Sequence, residues 1–529
     1  MNFKMNENRP DMSKSLFKST SVVASMTMVS RIFGFLRDMV TAQVFGAAAQ
    51  FDAFSIAFRI PNLMRRLFAE GSFSQAFVPV LSEYQKNKSH EEIQGFLNAV
   101  AGTLGFILLC VTIVGVLFAP FIIRIFAPGF DTSGPRFDLA VMMLRITFPY
   151  LFLISLTAFS GAVLNTYHRF WVAAFTPVLL NICMISAAFF LSPRMQYPII
   201  GLAWGVFIAG VVQLLFQVPF LKHLHLIPRP IVSFRNNGVM RVLKLMGPAI
   251  FGVSVSQINL LLDSVFASFL VVGSVSWLYF SDRLMEFPLG VIGVTFSTVI
   301  LPHLSRHHAS ESHEEFSHTL DWALRCVLLV GIPAGVIFAV ISGPLLSTLL
   351  QRGHFNAYDV MMARKSLSMF ALGIAPFMLV KILAAGFYAR QDLRTPVRVG
   401  IVAMVSNMIF NVILIWPLKH AGIALATSLA AALNSGLLFY FLRQKKIYIP
   451  RDGWGFFGFR LFAANAVLAV WLWFGSGDMQ SWVTHHSLWR VTHLFGLLVS
   501  AAVVYLGSLW LAGVRMRDVL IPQRQPLTL

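Results

Sequence analysis

The stretch Thr20–Phe45 reads TSVVASMTMVSRIFGFLRDMVTAQVF. As a helix it is long enough to cross the ~30 Å hydrocarbon core of a bilayer. Yet it carries Arg31, Arg37 and Asp38 at depth. An ionised side chain there costs at least a few kcal/mol, so it faces a partner or a water-filled cavity. The stretch reads as a membrane helix that handles charge inside the bilayer.

The remainder of the chain continues the pattern. Of its 529 residues, 57% are hydrophobic and only 12% charged, against about a quarter charged in ordinary soluble domains. Apolar runs of roughly 20 residues recur throughout. They predict an all-α polytopic membrane protein of fourteen transmembrane helices, at about 20–45, 51–82, 95–126, 140–166, 171–191, 198–221, 239–270, 274–303, 318–350, 360–388, 396–416, 421–442, 454–474 and 489–513. The second and eighth spans are interrupted by Pro61 and Pro288. In lipid, such breaks survive only where protein or water re-satisfies the backbone. No polar stretch exceeds about 25 residues, so no soluble domain is expected.

The net charge of +19 would suggest nucleic acid in a soluble protein. Here the basic residues lie mostly between spans, which points to topology and anionic lipid rather than nucleic acid. Lys86 and Lys88, Arg169, Lys222, Arg229, Arg235, Arg241 and Lys244, Arg390, Arg394 and Arg398, and Arg443, Lys445, Lys446 and Arg451 all fall in alternate loops. By the positive-inside bias both termini are cytoplasmic, in agreement with an even number of spans. Cys110, Cys183 and Cys326 sit in apolar runs without ligand spacing and read as packing. The polar Met1–Lys18 start and the long, charged first run predict no cleavable signal.

The chain also resembles itself at an offset of about 220 residues. FVPVLSEY, with Pro79 and Ser82, matches ILPHLSRH, with Pro302 and Ser305. Ala119-Pro120 matches Gly343-Pro344, the turn at Gly129-Phe130 matches Gly353-His354-Phe355, and the start of span six at Gly201 matches that of span twelve at Gly422. A six-span unit inserted twice in the same direction gives two parallel lobes related by a pseudo-two-fold along the membrane normal, with substrate between them and alternating access by rocking. The expected parts are a 1–19 cytoplasmic tail, a 20–221 first lobe, a 222–244 cytoplasmic linker overlapping span seven, a 239–442 second lobe, a 454–513 pair of added helices and a 514–529 tail.

Charge at depth concentrates in the first lobe. Residues seven apart share a helix face, so Ser30 aligns with Arg37 and Arg31 with Asp38. Asp52, Arg59 and Arg66 form a sevenfold stripe, followed by Glu70 and a Gly71-Ser72 break. Span eight carries Asp282, Arg283 and Glu286, the last two spaced to pair. The functional reading is a cationic cavity of Arg31, Arg37, Arg65 and Arg283, since the guanidinium fork suits bidentate grip on phosphate oxygens. The acids Asp38, Asp52, Glu70 and Asp282 would hold the arginines or gate the cavity. The plainer reading has these charges snorkel to the interface or lock helices by ion pairs.

Asp263, Asn259, Asn407, Asn411 and Thr427 offer hard oxygen ligands for a small cation, or plain interhelical hydrogen bonds. Lys381 reads as a coupling charge or a snorkelling lysine. The loop histidines His303, His307, His308, His313 and His318 show no clean ligand spacing and read as a solvated loop. No nucleophile elbow, zinc-helix motif or phosphate-binding loop is present, which argues against an enzyme and a cofactor. Transport would then draw on an ion gradient or the membrane potential.

Several longer segments resemble the MurJ/MviN lipid II flippase family. They are SMTMVSRIFGFLRD (Ser25–Asp38), FDAFSIAFRIPNLMRRLFAEGSFSQAFVPVLSEY (Phe51–Tyr84), MGPAIFGVSVSQIN (Met246–Asn259), SWLYFSDRLMEFPLGVIGV (Ser276–Val294) and GFYARQDLRTPV (Gly386–Val397). The resemblance covers nearly the whole chain. It implies a fold of the multidrug/oligosaccharidyl-lipid/polysaccharide exporter type, and the bacterial inner membrane as location. It implies transport of lipid II, the undecaprenyl-pyrophosphate-linked peptidoglycan precursor, from the cytoplasmic to the periplasmic leaflet. The implied cavity arginines are Arg31, Arg37, Arg65 and Arg283; the implied gating or cavity groups are Ser30, Asp38, Asp52, Glu70 and Asp282, to which the spacing to Arg283 adds Glu286. The match selects Arg65 over Arg66, because the Pro61 break makes ideal helix phasing unreliable there. The last two spans resemble the family's groove for the polyprenyl tail. A sodium site would fall on Asp263, Asn407, Asn411 and Thr427, although Asn411 stands where an acid is usual. The expected partners are lipid II, membrane lipids and the cell-wall synthesis and division machinery, with the chain monomeric. Competing readings are a drug/cation antiporter or polysaccharide-lipid flippase of the same superfamily, a membrane enzyme acting on polyprenyl phosphates, and a scaffold for wall assembly.

Overall fold

A computed structural model describes residues 12–66, 72–290, 300–306 and 312–514. The side chains of 12–24, 249, 251–256, 258 and 260 are outside that description, as are Glu70, His307, His308 and the 515–529 part of the expected tail. The described residues are helical, with no strand among them. The first eleven helices are α1 (Met12–Phe45), α2 (Ala49–Arg65), α3 (Ser74–Asn87), α4 (His90–Leu117), α5 (Ala119–Phe126), α6 (Pro135–Thr147), α7 (Tyr150–Thr166), α8 (Phe170–Ser186), α9 (Ile200–His223), α10 (Asn237–Ser268) and α11 (Ser274–Pro288). After 300–306 come α12 (His313–Val340), α13 (Ser342–Leu350), α14 (Ala357–Ala371), α15 (Ile374–Tyr388), α16 (Arg394–Leu418), α17 (His420–Gln444), α18 (Trp454–Ser476), α19 (Met479–Thr484) and α20 (Ser487–Leu511). Among the described residues, 10 helical segments are long and apolar enough to cross a membrane.

Two compact units divide the chain. One holds residues up to Thr41 and Ala53–Gln257; the other holds Ala42–Asp52 and everything from Ile258. In the first, α7 packs on α3, α4, α8 and α9. In the second, α17 packs on α14, α15 and α16, and α12 packs on α15 and α18. The short corner between α1 and α2 counts with the second unit. There the His354 N–H donates to the Gln43 carbonyl at 2.9 Å. Gly46 turns the chain at φ +61°, and a Cβ there would lie 2.5 Å from the His354 carbonyl oxygen. Phe51 then stacks on Phe280 with ring centroids 5.0 Å apart.

Prolines reveal how the helices are stitched. Pro61 does not break α2, which runs on to Arg65. A proline leaves the carbonyl four residues earlier without its helical donor. For Pro61 that carbonyl is Ala57, and the Thr147 hydroxyl of α6 donates to it at 3.4 Å. For Pro333 in α12 it is Leu329, which accepts the Tyr505 hydroxyl of α20 at 2.7 Å. The interruption expected at Pro61 is thus repaired from a neighbouring helix, as low-dielectric surroundings require.

The two C-terminal helices α18 and α20 pair with each other and are fixed within the second unit at both ends. Asp321 on α12 is 2% exposed. Its Oδ1 accepts the Tyr448 hydroxyl and the Trp454 indole, both at 2.7 Å, and its Oδ2 pairs with Arg325 at 2.8 Å. Burial and the Asp321 carboxylate push the Tyr448 hydroxyl well above the ordinary phenol range, so it remains a donor. At the other end Arg490 donates to the carbonyls of His485, Val483, Ser347 and Gln351. Replacing Asp321 by alanine strands several buried donors, each worth about 1–3 kcal/mol. Limited proteolysis of the 445–453 connection should accelerate severalfold in that variant, and an unchanged rate would show that Asp321 does not hold it.

Candidate functional site

In the first unit the charged cluster of α1 is built around one guanidinium. Arg37 and Asp38 are only 8% and 5% exposed. Arg37 Nε and Nη2 donate to Asp38 Oδ1 at 3.1 and 2.7 Å. Arg37 Nη1 donates to Asn181 Oδ1 on α8 at 3.1 Å, and Asn181 Nδ2 donates to the Ser30 carbonyl at 3.2 Å. The heptad spacing that aligns Ser30 with Arg37 is thus used by one asparagine that touches both. Burial strengthens such charge-assisted bonds and raises the cost of breaking them. Arg31, one position from Ser30, is half-buried and has no ion-pair or hydrogen-bond partner among the described residues.

On α2, Arg65 Nε and Nη2 both donate to Asn62 Oδ1, at 3.1 and 2.9 Å. Arg66 reaches Gln257 of α10 at 3.5 Å. The two arginines therefore leave the helix toward different partners, and Asn62 fixes the direction of Arg65.

In the second unit Asp52 is fully buried and sits at the start of α11. Its Oδ2 accepts the Gly273 N–H at 2.7 Å, and its Oδ1 accepts the Ser276 N–H at 2.9 Å and the Ser276 hydroxyl. The free N–H groups and dipole of a helix N-terminus favour an anion there. Two turns further, Arg283 Nη1 pairs with Glu286 Oε2 at 2.6 Å, as the spacing predicts, and lies 5.2 Å from the Tyr279 ring centroid. Asp282 beside it is half-buried.

A third cluster joins α10, α16 and α17. Asp263 Oδ1 accepts Asn407 Nδ2 at 3.1 Å and Asn411 Nδ2 at 2.9 Å, and Asp263 Oδ2 accepts the Thr427 hydroxyl at 3.2 Å. Asn407 also donates to Asn259 Oδ1 at 2.7 Å. Because the carboxylate must face the amide NH2 groups, their oxygens point elsewhere. Asn407 Oδ1 and Asn411 Oδ1 are buried with no hydrogen-bond partner among the described residues.

The structure brings Ser30, Arg37 and Asp38 together, Arg283 with Glu286, and Asp263 with Asn407, Asn411 and Thr427. The sequence reading passed over Asn62, Asn181, Ser276, Asp321 and Arg490. For Asn181, Asp321 and Arg490 the signal was present: a polar or charged residue inside an apolar run.

Buried guanidinium–carboxylate and amide contacts on long apolar helices mark a polytopic membrane protein. The chain is similar to a multidrug resistance MATE family transporter of the MOP superfamily in its inward-facing conformation, at TM-score 0.67 and 13% identity over 80% of this chain and 97% of the other. A family model for lipid II flippase MurJ matches residues 41–493. A MurJ of Haemophilus influenzae is 48% identical over 94% of this chain and 99% of its own length. The lipid II flippase MurJ of Burkholderia cenocepacia is 40% identical over 94% and 98%. A solved lipid II flippase MurJ, in an inward closed conformation, is 28% identical with a TM-score of 0.77, covering 94% of this chain and 99% of the other. The chain belongs to the lipid II flippase MurJ family.

Proposed function

We propose that this protein moves lipid II from the cytoplasmic to the periplasmic leaflet of the bacterial inner membrane by alternating access. The observation that carries the reading is the set of guanidinium groups placed on apolar helices of a MurJ-family chain. Arg31, Arg37 and Arg65 of the first lobe and Arg283 of the second form the cationic cavity that grips the diphosphate headgroup. Asp38 orients Arg37. Asp52, Asp282, Glu286 and Glu70, with Ser30, gate the cavity by exchanging partners. The Asp52 carboxylate on the α11 N-terminus is one closed contact of that exchange.

The full architecture in this reading is fourteen spans. A 20–221 lobe and a 239–442 lobe run parallel, the 454–513 pair forms the lipid-tail groove, and the termini, 1–19 and 514–529, are cytoplasmic with the 222–244 linker. The protein is monomeric, works beside the cell-wall synthesis and division machinery, and catalyses no covalent chemistry. No cofactor is needed; the membrane potential, worth about 2.3 kcal/mol per charge per 100 mV, or an ion gradient drives the cycle. Depleting the protein in cells and probing lipid II from outside tests the reading. Lipid II should accumulate yet become inaccessible at the outer face, whereas undiminished external labelling would refute it.

We further propose that Asp263, Asn407, Asn411 and Thr427 hold a monovalent cation. Flipping the two amides would turn buried oxygens that lack donors toward the Asp263 carboxylate, giving the donor set a hard cation takes. The ion would neutralise Asp263 and join α10 to α16 and α17. Sodium should raise the thermal unfolding temperature of the purified protein above its value in equimolar choline, and Asp263→Asn should abolish the difference. Equal temperatures in both salts would exclude the site.

A further inference from the structure

The connection between α9 and α10, Leu224–Asn236, reads LHLIPRPIVSFRN and is neither helix nor free loop. It lies extended along α4 in the first unit. Gln94 Nε2 donates to the Ile227 carbonyl at 2.6 Å, and Asn98 Oδ1 accepts the Arg229 N–H at 2.6 Å. The Ile231 N–H donates to the Asn98 carbonyl at 3.0 Å, and the Ser233 N–H to Thr103 Oγ1 at 3.0 Å. Gly102 makes room for this approach, since a Cβ there would lie 2.4 Å from the Ile231 backbone. Leu226 is fully buried and anchors the start.

Three features set its depth and its partner. First, α4 has 28 residues, about 42 Å at 1.5 Å per residue, which matches a bilayer including its headgroup regions. The strap follows α4 from Gln94 to Thr103, about 6 to 20 Å from the helix start, so it enters at headgroup depth and dips among the acyl chains. Second, it exposes a run of apolar side chains: Ile231, Val232 and Phe234 are 57%, 52% and 45% exposed. Phe234 meets Phe106 at 6.4 Å, where α4 begins its own exposed band of Phe106, Leu109 and Ile113. The apolar surface of the strap continues the lipid-facing surface of the span. Third, Arg229 and Arg235 flank these residues and are exposed. Backbone groups tied to α4, apolar side chains at acyl depth and flanking guanidiniums long enough to snorkel to the headgroups together fit one anionic leaflet.

We propose that Leu224–Asn236 is an interfacial strap that binds anionic phospholipid, with Ile231, Val232 and Phe234 among the acyl chains and Arg229 and Arg235 on the headgroup phosphates. Because the strap joins the two repeats, the lipid leaflet would hold that joint against the first unit. The site is separate from the cavity and needs no lipid II.

The test uses the full chain in vesicles, with Cys110, Cys183 and Cys326 replaced and a nitrobenzoxadiazole probe on Val232→Cys. Quenching by brominated phosphatidylglycerol is compared with quenching by brominated phosphatidylcholine at equal mole fraction. The strap predicts quenching by both lipids and at least a twofold preference for the anionic one, lost in Arg229→Gln/Arg235→Gln. No quenching by either lipid would place the strap in water and overturn the proposal. Equal quenching in the protein with both arginines intact would remove the anionic specificity and overturn it as well. Neither outcome depends on whether lipid II is transported.

Discussion

Replacing Asp38 by alanine should cost about 3–5 kcal/mol of stability, the range found when one partner of a buried ion pair is removed. Arg37 is 8% exposed and gives two donors to Asp38 Oδ1. With Asp38 gone, Asn181 remains as a neutral acceptor for Nη1, which does not compensate a desolvated positive charge. The sign of a second variant separates this mechanism from simple loss of packing. Arg37→Met/Asp38→Leu removes both charges and should be more stable than Asp38→Ala alone, because neither charge of the pair is then left buried without the other. Thermal unfolding in detergent reads both. A double variant as unstable as the single one would show that the pair is not the source of the loss.

Asp52→Ala carries the second large effect. It leaves the Gly273 and Ser276 N–H groups and the Ser276 hydroxyl without their buried acceptor, at about 1–3 kcal/mol for each donor left unmade. Asp52→Asn should recover only part. Its amide oxygen can accept from Ser276, but its NH2 then faces the Gly273 N–H, donor against donor. Hydrogen exchange at Gly273 and Ser276 should therefore be fastest in the alanine variant, intermediate in the asparagine variant and slowest with aspartate. If the contact is a gate, transport should fail in the same order. Exchange unchanged by Asp52→Ala would mean that the carboxylate does not cap α11.

The membrane class and the charged first helix were legible in the sequence because both rest on composition and local spacing. Arg283 and Glu286 could be paired from sequence for the same reason, being one helical turn apart. Asp52 could not: its partners Gly273 and Ser276 lie more than 200 residues along the chain, and nothing local to Asp52 announces a helix N-terminus. Pro61 read as an interruption because the sequence shows a missing donor but not the Thr147 hydroxyl that replaces it. The choice between Arg65 and Arg66 turned on phase, and the structure separates them by partner, Asn62 for one and Gln257 for the other. Asp321 and Arg490 were visible as charges in apolar runs. Their work is structural, taking indole and phenol donors in one case and four backbone carbonyls in the other, and a charge count alone does not distinguish that from substrate contact. The strap over α4 was read as a plain basic linker, since its hold on Asn98 and Thr103 is purely tertiary.

The most direct test of a cationic cavity is leaflet accessibility of lipid II in cells whose only copy of the protein carries Arg31→Ala or Arg283→Ala, expressed at the unsubstituted level. Lipid II should be lost from the outer leaflet in both strains. Lipid II reaching the outer leaflet at the unsubstituted rate in either strain would contradict the role assigned to that arginine.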